Sequence, residues 1–157
     1  MDLMLELELV SRLILAAFLG FVIGLERELT GQPAGERTHA LASLGAATFA
    51  VISFKAFPGG DTARVAAGVV TGLGFLGAGM ILKEGGREVH GLTTAAGIWA
   101  VGAIGLAIGA GMYLLGIASA VLVGFILASE RALRIDERLA RWRLRKTKDP
   151  QESKPPN

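Results

Sequence analysis

The sequence predicts an all-α polytopic membrane protein, a helical bundle with about five transmembrane helices. Hydrophobic residues make up 52% of the 157-residue chain, charged residues only 19%, and the mean hydropathy is +0.51. The 22 glycines would weaken helices in water, whereas small residues let helices pack closely in lipid. The sequence contains no cysteine, which excludes disulfides, thiolate metal sites and thiol catalysis within it.

Five apolar stretches predict the helices, because each approaches the roughly 20 residues that span a hydrocarbon core. They cover residues 9–25, 38–57, 65–82, 92–108 and 112–128. The first follows an acidic segment rather than the basic start of a signal peptide, so we expect a retained helix. Only Gly109, Ala110 and Gly111 separate the last two stretches, which predicts a tight antiparallel hairpin.

Basic residues beside the spans predict the orientation, because Lys and Arg near helix ends are retained on the cytoplasmic side. Eight of the 16 Lys and Arg lie in residues 131–148, directly after the last stretch. This places the C-terminus inside and, through five crossings, the N-terminus outside. The loops at 26–37 and 83–91 are then expected to be cytoplasmic.

Residues 1–128 are predicted to form the transmembrane domain. The segment that follows them is predicted to form a basic helix and a tail. In residues 129–146, arginines and apolar residues both repeat at intervals of three and four, which is typical of an amphipathic helix. The first interpretation is an anchor on anionic headgroups, and the second is a docking helix for a cytoplasmic partner. Residues 147–157 are too polar to pack and predict a disordered tail.

The third stretch matches the G-x-G-x-x-G pattern of a dinucleotide-binding loop over residues 72–77. The context argues against nucleotide binding, because the pattern lies inside a lipid-length apolar run rather than between a strand and a helix. Gly68 with Gly72, and Gly74 with Ala78, form the small-xxx-small steps of helix packing. We therefore expect the third helix at the centre of the bundle. A broken, glycine-rich helix that lines an ion path is the competing interpretation.

Charged residues at the predicted helix ends are candidates for a functional site, because charges near membrane depth are costly. Glu26, Arg27 and Glu28 end the first helix and Arg37 begins the second, so either these charges face water or Glu26 pairs with Arg37. Arg12 lies a few residues inside the first helix and is expected to extend to the interface.

Candidate metal ligands are few. Asp61 stands three residues before Arg64 and is expected to cap the third helix. Neither His39 nor His90 stands in a metal-binding spacing, and no catalytic set emerges, so we expect no enzyme. Magnesium takes few carboxylates and retains waters, which leaves Glu26, Glu28 and Asp61 as candidate ligands without evidence for a site.

Four motifs together resemble the MgtC/SapB family of bacterial inner-membrane proteins. They are GLERE at 24–28, AGERTH at 34–39, RVAAGVVTGLGFLGAG at 64–79 and GLTTAAGIW at 91–99, and in order they cover nearly all of residues 10–128. The resemblance implies a five-helix, multi-pass domain of the bacterial inner (plasma) membrane, with the N-terminus outside. The ACT-like C-terminal domain that many members carry is not expected in this chain.

The resemblance also implies a function. The family is linked to growth in low magnesium, and some members are described as restraining the F-type ATP synthase. The resemblance therefore implies a non-enzymatic regulator of magnesium-linked physiology. Its expected partners are the lipid bilayer, a second copy, or a membrane protein such as an ATP synthase or a transporter, and not nucleic acid. The alternative is an ion transporter or channel formed by a homo-oligomer, with Glu26, Arg37, Asp61, Thr93 and Thr94 lining a path.

The positions that match the family motifs are the functional candidates. They are Glu26, Arg27, Arg37, Thr38, Asp61, Arg64, Gly72, Gly74, Gly77, Gly79, Thr93, Thr94 and Trp99. Thr93 and Ala100 stand where some virulence-associated members have asparagine and cysteine, which favours a general housekeeping member. We expect no cofactor, and the candidate carboxylates leave Mg²⁺ binding open without evidence for it.

Overall fold

The computed structural model describes residues 3–57, 59–84 and 88–129, and within them the chain forms five α-helices. These are α1 (Leu3–Leu29), α2 (Glu36–Ala56), α3 (Thr62–Gly79), α4 (Leu92–Gly109) and α5 (Tyr113–Ser129). The first four are long and apolar enough to cross a membrane, and α5 is a shorter apolar helix. The predicted all-α membrane bundle is confirmed, and its orientation stays a prediction. Apart from Ser129, the predicted basic helix and tail lie outside the described residues.

The helix ends differ from the predicted ones where polar groups extend or cap a helix. α1 runs from Leu3 to Leu29 rather than from 9 to 25, because the apolar stretch marks only the part suited to lipid while helical hydrogen bonding continues on both sides. Asp61 caps α3 as expected, since its carboxylate accepts a hydrogen bond from the Ala63 amide at 3.1 Å. The tight turn between α4 and α5 is also confirmed, with Gly111 at a φ of 83°.

A short β-hairpin connects α3 to α4, where we had expected the end of a helix followed by a loop. Strand β1 (Leu82–Glu84) pairs with β2 (Glu88–His90) in antiparallel register, with Leu82 opposite His90. Gly91 follows with a φ of 88°, and a side chain there would collide with the Met80 carbonyl. The connection is therefore a compact structure that depends on glycine at its last position.

The central helix of the bundle is α4. It packs against α1, α2 and α3, and half of its membrane-length segment is buried, compared with 11% for α3. The expectation that the third helix is central was therefore wrong. A Cβ built at Gly68, Gly72 or Gly74 meets no described atom within 4 Å, so these glycines do not face a helix of the same chain. A stretch rich in small residues reveals a capacity for close packing but not which faces are covered.

Glycines on α1 and α4 instead set the close approach of α2 to its neighbours. A Cβ at Gly20 would lie 2.5 Å from the His39 carbonyl oxygen, and one at Gly105 would collide with the Ser43 carbonyl. Small residues thus provide close packing on α1, and α4 contributes a row that the sequence interpretation had not singled out. Buried aliphatic side chains, including Ile23, Ile104 and Ile108, fill the space around these contacts.

Candidate functional site

Four polar side chains are buried where α1, α2 and α4 meet, at the end of the bundle that carries the first loop. Arg27, His39, Ser43 and Thr94, the buried polar cluster, are each at most 1% exposed. Arg27 lies in the last turn of α1, His39 near the start of α2, and Thr94 near the start of α4. Polar groups this deep in a membrane bundle are costly, which makes the cluster the first candidate for function.

His39 is held in a defined tautomer. Its Nδ1 lies 2.9 Å from the Gly35 carbonyl oxygen. Because a carbonyl only accepts hydrogen bonds, Nδ1 carries the proton, and in the neutral ring Nε2 is left with an acceptor lone pair. Nε2 is buried, has no hydrogen-bond partner among the described residues, and faces α4 at Gly97, 3.5 Å from where a Cβ would stand.

The hydroxyl groups of Ser43 and Thr94 are also buried without a hydrogen-bond partner among the described residues. Thr94 precedes Gly97 by three residues on α4, so it lies one turn from the imidazole contact. Ser43 lies against Gly20 of α1 and Gly105 of α4, about two turns further along α4. Unmatched buried polar atoms are rare in folded proteins because each costs about 1–3 kcal/mol. Their presence in this part of the bundle makes the buried polar cluster a candidate binding site.

The acidic residues near the first loop do not pair as expected. The Arg37 guanidinium lies 3.6 Å from Glu36 and its side chain is 91% exposed, so the predicted Glu26–Arg37 pair was wrong. Both carboxylate oxygens of Glu26 are buried and have no hydrogen-bond partner within the described part of the chain. Glu28 and Glu36 line a polar pocket of about 290 Å³ at the loop, together with Arg37 and Thr38.

The candidate metal ligands lie at different ends of the bundle. Glu26 and Glu28 precede α2, and Asp61 follows it, while the 21 residues of α2 correspond to about 30 Å of helix. These three carboxylates therefore do not share one ion. Among the residues that the structure describes, no group of three acidic, histidine or cysteine side chains comes together as a metal site. Arg64 is exposed beside Asp61.

A second feature is an open apolar cavity between α2 and α3, the α2–α3 groove, with a volume of about 560 Å³. Its lining includes Leu41, Gly45, Phe49, Gly68, Gly72 and Leu76. Gly45, Gly68 and Gly72 contribute only backbone to it, since a Cβ at each meets no described atom within 4 Å. Gly68 and Gly72, both within the motif at 64–79, thus shape this surface.

The other motif residues are distributed over several environments. Gly77 contacts α4, where a Cβ would lie 3.5 Å from that of Ala95, whereas Gly74 and Gly79 face away from every described atom. Thr93 is exposed while its neighbour Thr94 is buried, and Trp99 is 50% exposed. Ser43 was missed by the sequence interpretation. The available sign was its spacing of four from His39 within an otherwise apolar stretch.

Arg12 forms a polar link at the opposite end of the bundle. Its guanidinium donates to Glu8 at 2.5 Å, to the Gly109 carbonyl at 3.1 Å and to the Tyr113 hydroxyl at 3.0 Å. These bonds connect α1 to the turn between α4 and α5. That Arg12 also extends to the membrane interface stays a prediction.

The fold and these sites define a small polytopic membrane protein with a buried polar cluster and an open apolar groove between two helices. The family model described as "MgtC family" matches residues 13–135. The chain belongs to the MgtC family. No solved structure matches it significantly.

Several curated relatives support this assignment. YhiD of Escherichia coli (strain K12), which is named as a proposed magnesium transporter, is 47% identical over 128 residues, covering 76% of this chain and 59% of YhiD. SrpB of Synechococcus elongatus is 45% identical over 121 residues, covering 68% of this chain and 65% of SrpB. MgtC of Brucella abortus (strain 2308) is 45% identical over 119 residues, covering 76% of this chain and 48% of that MgtC. The chain spans about half to two thirds of the length of these relatives.

Proposed function

We propose that the protein is a regulator in the bacterial inner (plasma) membrane, linked to magnesium homeostasis, that binds a transmembrane helix of another membrane protein in the α2–α3 groove. The link to magnesium is supported by its family and by the name of YhiD. In the proposed orientation, with the N-terminus outside, the buried polar cluster lies toward the cytoplasm. The protein itself catalyses no reaction.

The groove is the observation that carries this proposal. Association of helices in lipid depends on close packing, because lipid tails are as apolar as the helices and supply no hydrophobic drive. Glycines on α2 and α3 leave backbone open along the groove, and α3 buries less of its membrane-length segment inside the chain than the other three spans. A partner helix would gain backbone contacts there.

Replacing Gly72 with leucine should abolish association with the partner. The new side chain would occupy the groove, and because it enters open space it should not disturb insertion or folding. We expect at least about a tenfold loss of the co-purified partner, which corresponds to ~1.4 kcal/mol. The measurement is quantitative co-purification from bacterial membranes grown in low magnesium.

Gly74→Leu is the matched control. Gly74 lies on the same helix and also faces open space, but it does not line the groove. We expect this variant to retain the partner. Retention by Gly72→Leu, or an equal loss in both variants, would contradict binding in the groove.

Ion transport by a homo-oligomer is the second candidate, and the buried polar cluster favours it. Ionisable side chains at membrane depth commonly mark ion or proton paths. Since five helices are few for a transporter, a path would form between subunits. Flux of magnesium, potassium or protons into proteoliposomes, lost in Thr94→Val, would support transport. A folded protein that carries no flux would support the regulator.

A further inference from the structure

We infer that the buried polar cluster contains an internal water site, in which water bridges His39 Nε2 on α2 to the Thr94 hydroxyl on α4. This site is separate from the α2–α3 groove, and the inference does not depend on the proposed function. It rests on two side chains, each at least 99% buried, whose polar atoms have no hydrogen-bond partner among the described residues. Gly97, the α4 residue that faces His39 Nε2, lies one turn from Thr94.

The inventory of donors and acceptors selects the ligand. His39 Nε2 can only accept, because the ring proton is committed to the Gly35 carbonyl through Nδ1. The Thr94 hydroxyl can donate or accept. A ligand that satisfies both groups must donate to the imidazole and exchange a hydrogen bond with the hydroxyl. Water does this, and an internal water typically has two to four such partners.

The arrangement of the helices provides the room. Thr94 lies one turn before Gly97 on α4, and Gly97 is the residue that faces His39 Nε2. Since neither Nε2 nor the Thr94 hydroxyl has a direct partner among the described residues, the two atoms are farther apart than a hydrogen bond, and a bridging water suits such a gap. Gly97 has no side chain to fill the space in front of Nε2.

Charges around the site argue against an ionic ligand. Arg27 on α1 is buried in the same cluster, which disfavours a cation, and the lone pair of Nε2 disfavours an anion. The other described charged side chains near this end are Glu26 and Glu28 on α1 and Glu36 and Arg37 on α2. The α4 segment carries no charged residue. A neutral donor is therefore the class of ligand that the site takes.

Solid-state NMR of the full chain in lipid bilayers, with ¹⁵N-labelled histidine, tests this inference directly. The chain has only two histidines, so His90→Asn leaves His39 as the single labelled imidazole. We expect a neutral ring protonated at Nδ1, with magnetisation transfer from water to Nε2. A ring protonated at Nε2, a doubly protonated ring, or the absence of transfer from water would overturn the inference.

Variants of Thr94 separate a specific site from general water access. Thr94→Val keeps the shape of the side chain but removes the hydroxyl, and we expect loss of the transfer from water to His39. Thr94→Ser restores a hydroxyl and should restore the transfer, which also serves as a control for folding. Equal transfer in the wild-type protein and in Thr94→Val would overturn the assignment of Thr94 to the site.

Discussion

Replacing Gly105 with alanine is expected to destabilise the folded bundle by about 3 kcal/mol or more, at or above the upper end of typical overpacking costs. The added methyl group would collide with the carbonyl and Cα of Ser43 on α2. These are backbone atoms, so the clash cannot be relieved by a side-chain rotation and α2 must move away from α4. The midpoint of unfolding by SDS in mixed micelles, followed by helical circular dichroism, measures the loss.

Gly68→Ala is the matched control for this variant. Gly68 is also a glycine inside a membrane helix, but a Cβ there meets no described atom within 4 Å. Alanine favours a helix over glycine by about 1 kcal/mol, so Gly68→Ala should be neutral or slightly stabilising. Because both variants gain the same helix propensity, the difference between them isolates the clash. Equal unfolding midpoints would contradict the close approach of α2 and α4.

Replacing Arg12 with methionine is expected to produce the second-largest loss, about 1–2 kcal/mol, because hydrogen bonds between membrane helices are individually modest. The change removes the bonds from the guanidinium to the Gly109 carbonyl and the Tyr113 hydroxyl, which connect α1 to the α4–α5 turn. Methionine supplies an apolar chain similar to the aliphatic stem of arginine, so the loss of stability reports mainly on the polar contacts. The same SDS titration measures it.

Two controls define the origin of that loss. Lys55→Met removes one positive charge from an exposed side chain at the same end of the bundle and should have little effect. Tyr113→Phe removes only the hydroxyl that accepts from Arg12, so it should cause a smaller loss than Arg12→Met. If Arg12→Met were as stable as the wild-type protein, the polar link would have no structural role.

Much of the fold follows from the sequence because lipid imposes simple requirements on it. A stretch of apolar residues near the length of the hydrocarbon core has few alternatives to a helix, since its backbone polar groups must be satisfied internally. The five stretches therefore located all five helices, and the three-residue break at Gly109–Gly111 located the last turn. Asp61 could be recognised as a cap because local spacing alone determines that role.

The arrangement of the helices could not be obtained in the same way. In lipid, apolar side chains face either protein or hydrocarbon, so composition does not distinguish a central helix from a peripheral one. The glycines of α3 resembled those of α1 and α4, but most of them face outward. The β-hairpin was missed because its strands have only three residues each, too few for an alternating pattern to be recognised.

The candidate site was predictable only in part. Arg27 and Thr94 were singled out by the family motifs, and both prove to be buried together with His39. Ser43 belongs to no motif, and the pairing of Arg37 with Glu36 rather than Glu26 depends on the entry angle of α2. The α2–α3 groove is formed by two helices at positions distant in sequence, so no local pattern indicates it.

Site-specific photo-cross-linking tests most directly whether a partner helix binds in the groove. Phe49 lines the groove and Phe75 does not, although both rings are exposed, so each is replaced in turn by benzoylphenylalanine and irradiated in bacterial membranes. We expect a discrete adduct with one membrane protein from position 49, its loss when Gly72→Leu is added, and no such adduct from position 75. Equal adducts from both positions, or an adduct at position 49 that persists with Gly72→Leu, would contradict the proposed mode of action.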